Sequence, residues 1–535
     1  MNFIEEKIEN KIKEGVYENP TFRFPPEPNG HLHLGHLKAI VLNFGLSEKY
    51  DSTCILRFDD TNPLKESKKY VDSIIKDIEW LGYDPSNITY ASDNFEYLLT
   101  VAKDFIMRDL AYVDFSTSEE MAEGKGTPTT VGKNSPYRDR SNEDNINDFE
   151  KMISGEITNA VLRLKIDMTS PNMLMRDPVV YRHIESDHHR TGDKYKVYPM
   201  YDFAHPICDL VENITDSLCT LEFEVHRPLY NWVLDNIVDK NTIVPEQTEF
   251  NRLNLNYNVM SKRIFNELVE SNIVEDLDDP RLPTVSGLRR RGYTPTSLIN
   301  FCEKVGWTKK ESISDHNLLE ACLREDLNKK ANRYMVVTDP IKLTIENWDK
   351  GVEWVTVENN PEDEEAGSRT MPFSKDLYIE REDFRKEANR KYFRLKLDHE
   401  VRLKGGYVVK AISCKEDGDG NITEVICTYD PNSKSGMELD RKIKGTIHWV
   451  STNCVDCEIR EYDRLFKEEK INTDDLKSNL NENSLTIKKG YGEINLLEDK
   501  GLPIQFMRKG YYVLDKDTKS TCIVYNKCVS LKENW

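Results

Sequence analysis

Apolar residues recur at helical spacing through Leu34, Leu37, Ile40, Val41, Phe44 and Leu46, which predicts a helix from about His33 to Tyr50. Ahead of it, Thr21 to Phe24 reads as a short strand closed by Pro25 and Pro26, because proline continues neither a helix nor a central ladder. The loop Glu27-Pro28-Asn29-Gly30 follows. Thr53 to Phe58 alternates as a second strand, and Tyr70, Val71, Ile74, Ile75, Ile78 and Leu81 mark the next amphipathic helix. This β-α-β-α order predicts a parallel sheet, whose ligands gather at the carboxyl ends of its strands, where Glu27 and Asp59-Asp60 stand.

From about Asn94 the rhythm changes to mixed helices, turns and short strands, until Val197 to Phe203 reads as a return to a buried strand. The middle stretch is therefore expected to be an insertion into a nucleotide-binding fold. Helical periodicity dominates from Asn251 to about Lys330, broken at Asp279-Pro280 and Leu282-Pro283. After Ala331 short alternating segments such as Tyr407 to Ile412 and Thr423 to Tyr429 predict barrels or sandwiches. The polar stretch Lys470 to Asn483 is expected to be a loose loop. These shifts divide the chain at 1–93, 94–200, 201–252, 253–330 and 331–535.

Composition narrows the class. A chain of 535 residues, 38% hydrophobic and 31% charged, needs several cores and contains no apolar stretch able to cross a bilayer. Its first residues lack the apolar core of a signal peptide, and eleven scattered cysteines fit reduced thiols, so a cytoplasmic location is expected. Cys454 and Cys457 form the one C-x-x-C, with no second pair at zinc-ribbon distance, so no structural metal is expected. The net charge of −20 argues against nucleic acid as a partner of the whole surface, though one basic face on an acidic body is allowed. The triplet Arg289-Arg290-Arg291 reads as a solvated helix end.

His33-Leu34-Gly35-His36 sets two imidazoles three residues apart at a helix start, where amides and dipole attract phosphate and glycine permits close approach. The bland alternative is an ordinary surface H-x-x-H. Far downstream, Met260-Ser261-Lys262-Arg263 supplies a lysine able to neutralise charge at a five-coordinate phosphorus, although alone it is a common basic loop.

Together with Arg23-Phe24-Pro25-Pro26-Glu27-Pro28-Asn29-Gly30, Arg57-Phe58-Asp59-Asp60-Thr61-Asn62-Pro63, Ser135-Pro136-Tyr137-Arg138-Asp139-Arg140, Tyr198-Pro199-Met200-Tyr201-Asp202-Phe203 and Val259-Met260-Ser261-Lys262, these motifs resemble the glutaminyl and glutamyl branch of the class I aminoacyl-tRNA synthetases. The resemblance runs from about residue 20 onward, weaker in the β-rich half, where Ile447-His448-Trp449-Val450 and Val529 to Trp535 carry it.

It implies a Rossmann-type catalytic domain, an inserted acceptor-end domain, a helical subdomain and two C-terminal anticodon-binding β-barrels. It implies His33, His36 and Lys262 as catalytic. It gives Glu27, Pro28, Asn29, Gly35, Lys38, Ala39, Thr220, Arg252, Leu253, Met260 and Ser261 to ATP, which brings Mg²⁺ with it. Arg23, Asp59, Tyr201 and Cys219 would hold the amino acid, and Arg333, Arg394, Lys404, Gln505 and Arg508 the anticodon. Relatives specific for glutamate typically carry arginine at the position of Cys219; a neutral thiol there implies L-glutamine and tRNA(Gln) as partners, with a monomeric enzyme expected. The chain departs from the pattern at Val225 and Pro228, where an acid and a base are usual. A glutamyl enzyme of the same branch and a non-catalytic tRNA-binding relative are the alternatives.

Overall fold

The computed structural model describes residues 2–238, 243–389 and 391–532, so the last three residues of the C-terminal motif lie outside the described residues. The chain forms two compact units: Met1–Asn254 with Met260–Lys262 and Cys302–Ser314, and Leu255–Val259 with Arg263–Phe301 and Asp315–Trp535.

The first unit opens with helix α1 (Phe3–Lys13), whose N-cap Asn2 accepts from the amides of Ile4 and Glu5. Then come β1 (Thr21–Phe24), α2 (Leu34–Lys49), β2 (Thr53–Phe58), α3 (Lys68–Trp80) and β3 (Ile88–Tyr90). β1, β2 and β3 pair in parallel, with Phe24 opposite Leu56 and Phe58 opposite Tyr90. Later in the chain β8 (Asp216–Thr220) and β9 (Glu246–Phe250) form a second parallel pair. It adjoins the first where the Thr215 amide donates to Thr21 O at 3.1 Å. Phe22, Phe24, Ile55, Leu56, Phe58, Leu218 and Phe250 supply the apolar part of these strands, while Arg23, Arg57 and Asp216 are buried among them.

Between these halves lie α4 (Phe95–Met107), β4 (Ala111–Asp114), α5 (Ser118–Lys125), α6 (Asn142–Ser154), β5 (Val161–Leu164), β6 (Val179–His183) and β7 (Val197–Pro199). The four strands β4 to β7 make an antiparallel sheet in chain order. The expected buried strand over 197–203 is thus corrected twice. β7 closes this antiparallel sheet, and from Tyr201 the chain turns into helix α7 (Tyr201–Val211). Tyr201, His205 and Asp209 lie four residues apart, so the helix aims all three the same way. Helix α8 (Arg227–Asp235), with Pro228 in its first turn, precedes β9.

In the second unit, α9 (Val285–Arg291) follows Leu282-Pro283 and ends at Gly292, whose φ of +93° is left-handed. The arginine triplet there is no solvated helix end. Arg290 donates to Asp515 at 2.9 Å and to Asp517 at 3.1 Å, and is nearly buried. Two seven-stranded, barrel-like sheets follow. One, including Val408–Glu416, Ile422–Tyr429 and Pro340–Ile345, encloses a core around Trp449, Phe373 and Trp348. The other, including Cys454–Tyr462, Leu485–Glu493 and Ile523–Ser530, closes around Phe506, Tyr512 and Tyr525. The expected loose loop at 470–483 is also corrected. Leu476 is buried with Leu465, Phe466, Ile264 and Phe265, so a few apolar residues tie a polar stretch down.

Candidate functional site

At the carboxyl ends of β1 and β8, a cavity of about 370 Å³ is lined by Arg23, Glu27, His33, Gly35, His36, Ala39, Asp59, Tyr201, Cys219, Thr220, Arg252 and Lys262, all singled out in the sequence. The two motifs separated by more than two hundred residues therefore share one chamber.

His33 caps α2 from an extended conformation, and its Nδ1 accepts the Gly35 amide at 3.1 Å. His36 Nδ1 in turn accepts the His33 amide at 3.2 Å. Because both Nδ1 atoms act as acceptors, the network assigns each neutral ring its proton on Nε2. Burial pushes His33 down to about 3, with Lys262 and Arg252 adding to the effect, and His36 falls well below its ordinary value for the same reasons. Gly35 has a second purpose besides backbone approach. A Cβ there would stand 2.8 Å from His33 Cε1, so glycine makes room for the ring.

Lys262 Nζ donates to Asn29 Oδ1, and Asn29 Nδ2 donates to Glu27, a chain that holds the lysine at the cavity wall. Burial lowers the Lys262 ammonium and Glu27 opposes it. Arg252 is braced by Glu222 and by Met260 O at 3.1 Å. Pro28, Asn29, Leu253, Met260 and Ser261 stand outside the cavity lining, Asn29 and Met260 acting through Lys262 and Arg252. Lys38 is fully buried and donates to Asn251 O at 3.1 Å and Asn251 Oδ1 at 2.8 Å, which joins α2 to the end of β9.

Asp59 ends β2 with Oδ1 buried and unpartnered. Burial raises its carboxyl to about 7; Arg57 opposes this, while Glu27 and Asp60 add to it. Tyr201 stacks on His205 with centroids 5.0 Å apart. Beneath them Arg23 is entirely committed. It donates to Asp209 at 3.1 Å, to Leu218 O at 2.9 Å, to His205 Nε2 at 2.7 Å and to Cys219 Sγ at 3.4 Å. Asp209 also takes Arg57 at 2.6 Å, and Arg57 takes Glu212 at 2.6 Å. Two guanidinium groups thus face two carboxylates, and the pocket floor carries no spare positive charge. Burial opposes ionisation of Asp209, but Arg23, His205 and Arg57 outweigh it and hold the carboxyl well below its usual range. His205 and Asp209 escaped sequence reading because 197–203 read as strand; their four-residue spacing after Tyr201 was the available signal.

Asp60, His188 and His189 bring ligand atoms within 4.8 Å of one another, a grouping the sequence did not reveal. Hydrogen bonds account for it. His188 Nδ1 accepts the amides of Arg190 and Thr191 at 3.2 Å each, which puts its proton on Nε2, and Nε2 donates to Asp60 O at 2.7 Å. A protonated Nε2 offers no lone pair to a cation.

In the second unit, a cavity of about 310 Å³ is lined by four of the five residues expected at the anticodon: Arg333, Lys404, Gln505 and Arg508. Arg333 and Gln505 are register partners on adjacent parallel strands. Arg394 does not line it; Asp383 ties Arg394, at 3.3 Å, to Arg508, at 2.6 Å. Lys404 is fixed through its backbone, donating to Ile447 O at 3.0 Å and accepting from Trp449 Nε1 at 2.9 Å.

Residues 21–329 match the family model for the catalytic domain of class I tRNA synthetases (E and Q). Residues 331–430 and 446–515 match two models for the anticodon-binding domain of the same enzymes. A glutamine–tRNA ligase of Proteus mirabilis (strain HI4320) is 50% identical over 544 residues, covering 100% of this chain and 97% of that protein. One from Escherichia coli O157:H7 is 51% identical over 542 residues, covering 100% and 98%. Among solved structures, a glutamate tRNA ligase from Elizabethkingia meningosepticum is similar at 18% identity and a TM-score of 0.44, over 59% of this chain and 70% of that one.

Proposed function

Because the chain belongs to the class I tRNA synthetases of the E and Q branch, we propose that it uses ATP to join L-glutamine to tRNA(Gln) through a glutaminyl adenylate. A carboxylate oxygen of glutamine attacks the α-phosphorus, and the bond to pyrophosphate breaks. A ribose hydroxyl of the tRNA's terminal adenosine, the 2′-hydroxyl as the class implies, then attacks the acyl carbon and AMP leaves.

The residues have distinct tasks in this reading. His33 and His36 donate Nε2–H groups to phosphate oxygens, and Lys262 adds the mobile positive charge where the pentacoordinate centre gathers negative charge. Preorganised donors in a buried site need little reorganisation as the reaction proceeds. Ionised Asp59 pairs with the α-ammonium, and the Tyr201 hydroxyl faces the side-chain amide. Arg252 and Thr220 border the nucleotide. Mg²⁺ arrives on ATP and needs no protein ligand. The inserted domain takes the acceptor end, the 310 Å³ cavity takes anticodon bases splayed from their stack, and the enzyme works as a monomer in the cytoplasm.

One observation carries the choice of glutamine. Arg23, the cation nearest Cys219, is neutralised by Asp209, so a glutamate side chain would enter a buried pocket with no countercharge. The test is aminoacylation of cognate transcript with glutamine and glutamate in competition. Charging by glutamine is expected; charging by glutamate alone would overturn the specificity, and adenylate formation with neither would remove the enzymatic reading.

A further inference from the structure

A second cavity of the second unit, about 600 Å³, plays no part in the reaction above. It is bounded by the end of α9, the first turn of α10 (His316–Lys330), the end of Cys454–Tyr462 and the strand Ile523–Ser530. Arg291, Arg464, Lys467, Lys527 and Lys532 supply positive charge to its wall, against Glu320, Glu461 and Asp463.

Two of the three acids are held by cations, and Asp463 accepts the Arg464 amide at 2.7 Å. Glu461 takes Lys488 at 2.6 Å. Burial pushes the Glu320 carboxyl up, but the hydrogen bond from His316, with Arg291 and Arg324, more than offsets this and holds it at about 2. That single carboxylate serves His316 at 3.5 Å, Arg324 at 3.6 Å and Arg291 at 4.0 Å. Of the three, Arg291 stands farthest from it.

Arg291 is the group that points to a ligand. Its side chain is nine-tenths buried, it donates to Tyr462 O at 3.2 Å, and its Nε is buried without a partner. No carboxylate lies within hydrogen-bond distance of it among the described residues. Buried guanidinium groups are ordinarily paired, and their planar fork matches oxyanions of phosphorus. Lys467, exposed at the rim, has no ion-pair partner among the described residues and extends the positive wall outward.

We propose that this cavity is an anion site for a phosphoryl group, with Arg291 at its back wall and Lys467 and Lys532 at its rim. The phosphoryl group comes from a backbone phosphodiester of bound tRNA or from free phosphate; the first source rests on the ligase reading.

The experiment uses the full chain and two variants: Lys467→Glu with Lys532→Glu, both exposed, and Arg291→Lys, which keeps the charge but loses the fork. Calorimetry with inorganic phosphate forms one arm. The salt dependence of tRNA binding forms the other. For tRNA, the double variant is expected to bind several-fold more weakly, and its log K against log[salt] slope to shrink by about 0.7 to 0.9 for each phosphate no longer neutralised. Loss of phosphate binding with an unchanged tRNA slope assigns the site to the free ion. Unchanged phosphate and tRNA binding in the double variant overturns the proposal, whether or not Arg291→Lys folds. Failure of the unmodified protein to charge tRNA with glutamine would sink the ligase reading alone, because the phosphate arm does not depend on it.

Discussion

The Asp59 carboxyl makes glutamine binding sensitive to pH in a calculable way. Burial places its pKa at about 7, so in the free protein it is largely neutral at pH 6 and largely ionised at pH 8. A neutral acid cannot pair with the α-ammonium of the substrate, so binding must first ionise it. The apparent KM then scales as one plus the ratio of protonated to ionised Asp59. Between pH 8 and pH 6 that factor rises from about 1.1 to about 11, a tenfold weakening worth about 1.4 kcal/mol. The direction is set by the raised pKa: affinity is full above 7 and lost as pH falls through it. His33, at about 3, and Glu66, at about 9, titrate outside this window. The assay is glutamine-dependent pyrophosphate exchange, or its tRNA-dependent equivalent, at saturating ATP from pH 6 to 8. Asp59→Asn should raise KM and flatten the profile. A wild-type KM constant within twofold across the range, or an equally steep profile in Asp59→Asn, would refute the reasoning.

Three further outcomes concern residues of the same chamber and its supports. Gly35→Ala drives a Cβ into the His33 ring at 2.8 Å and should lower kcat for adenylate formation at least tenfold while the melting temperature stays within a few degrees, read by exchange kinetics and calorimetry. Cys219→Arg sets a second guanidinium about 4 Å from Arg23, whose partner Asp209 is already shared with Arg57; at an effective dielectric near 20 the repulsion is about 4 kcal/mol. Glutamine kcat/KM should fall at least a hundredfold, with the glutamate-to-glutamine ratio rising, measured in paired charging assays. Lys38→Met removes two hydrogen bonds to Asn251 and should cost about 1–3 kcal/mol in denaturant unfolding, with KM for ATP changed less than threefold.

Much of the site was legible because its residues stand in short runs tied to element ends. The proline-closed strand Thr21–Phe24, the histidines at the head of α2 and the acids after β2 each combine a pattern with a chemistry, and the parallel sheet brings those ends together. The parts that escaped are of another kind. A seven-residue run ending in Tyr201-Asp202-Phe203 is apolar enough for either strand or helix, and periodicity cannot arbitrate over so short a window. Lys38, two residues after His36, gives no sign in the sequence of its hydrogen bonds to Asn251, 213 residues away.

By itself, then, the chain determined its sheet, its helical and β-rich segments, and which residue types could meet a triphosphate, since these follow from local spacing and covalent stiffness. Tertiary structure alone decided which charges cancel. Arg23 is one cation in the sequence, and its meaning changes once Asp209, 186 residues away, neutralises it. The same holds for Arg290, absorbed by Asp515, and for Arg291, left without a carboxylate at hydrogen-bond distance. Electrostatic free energy depends on separation and on exclusion of water, and neither is written in the order of the residues.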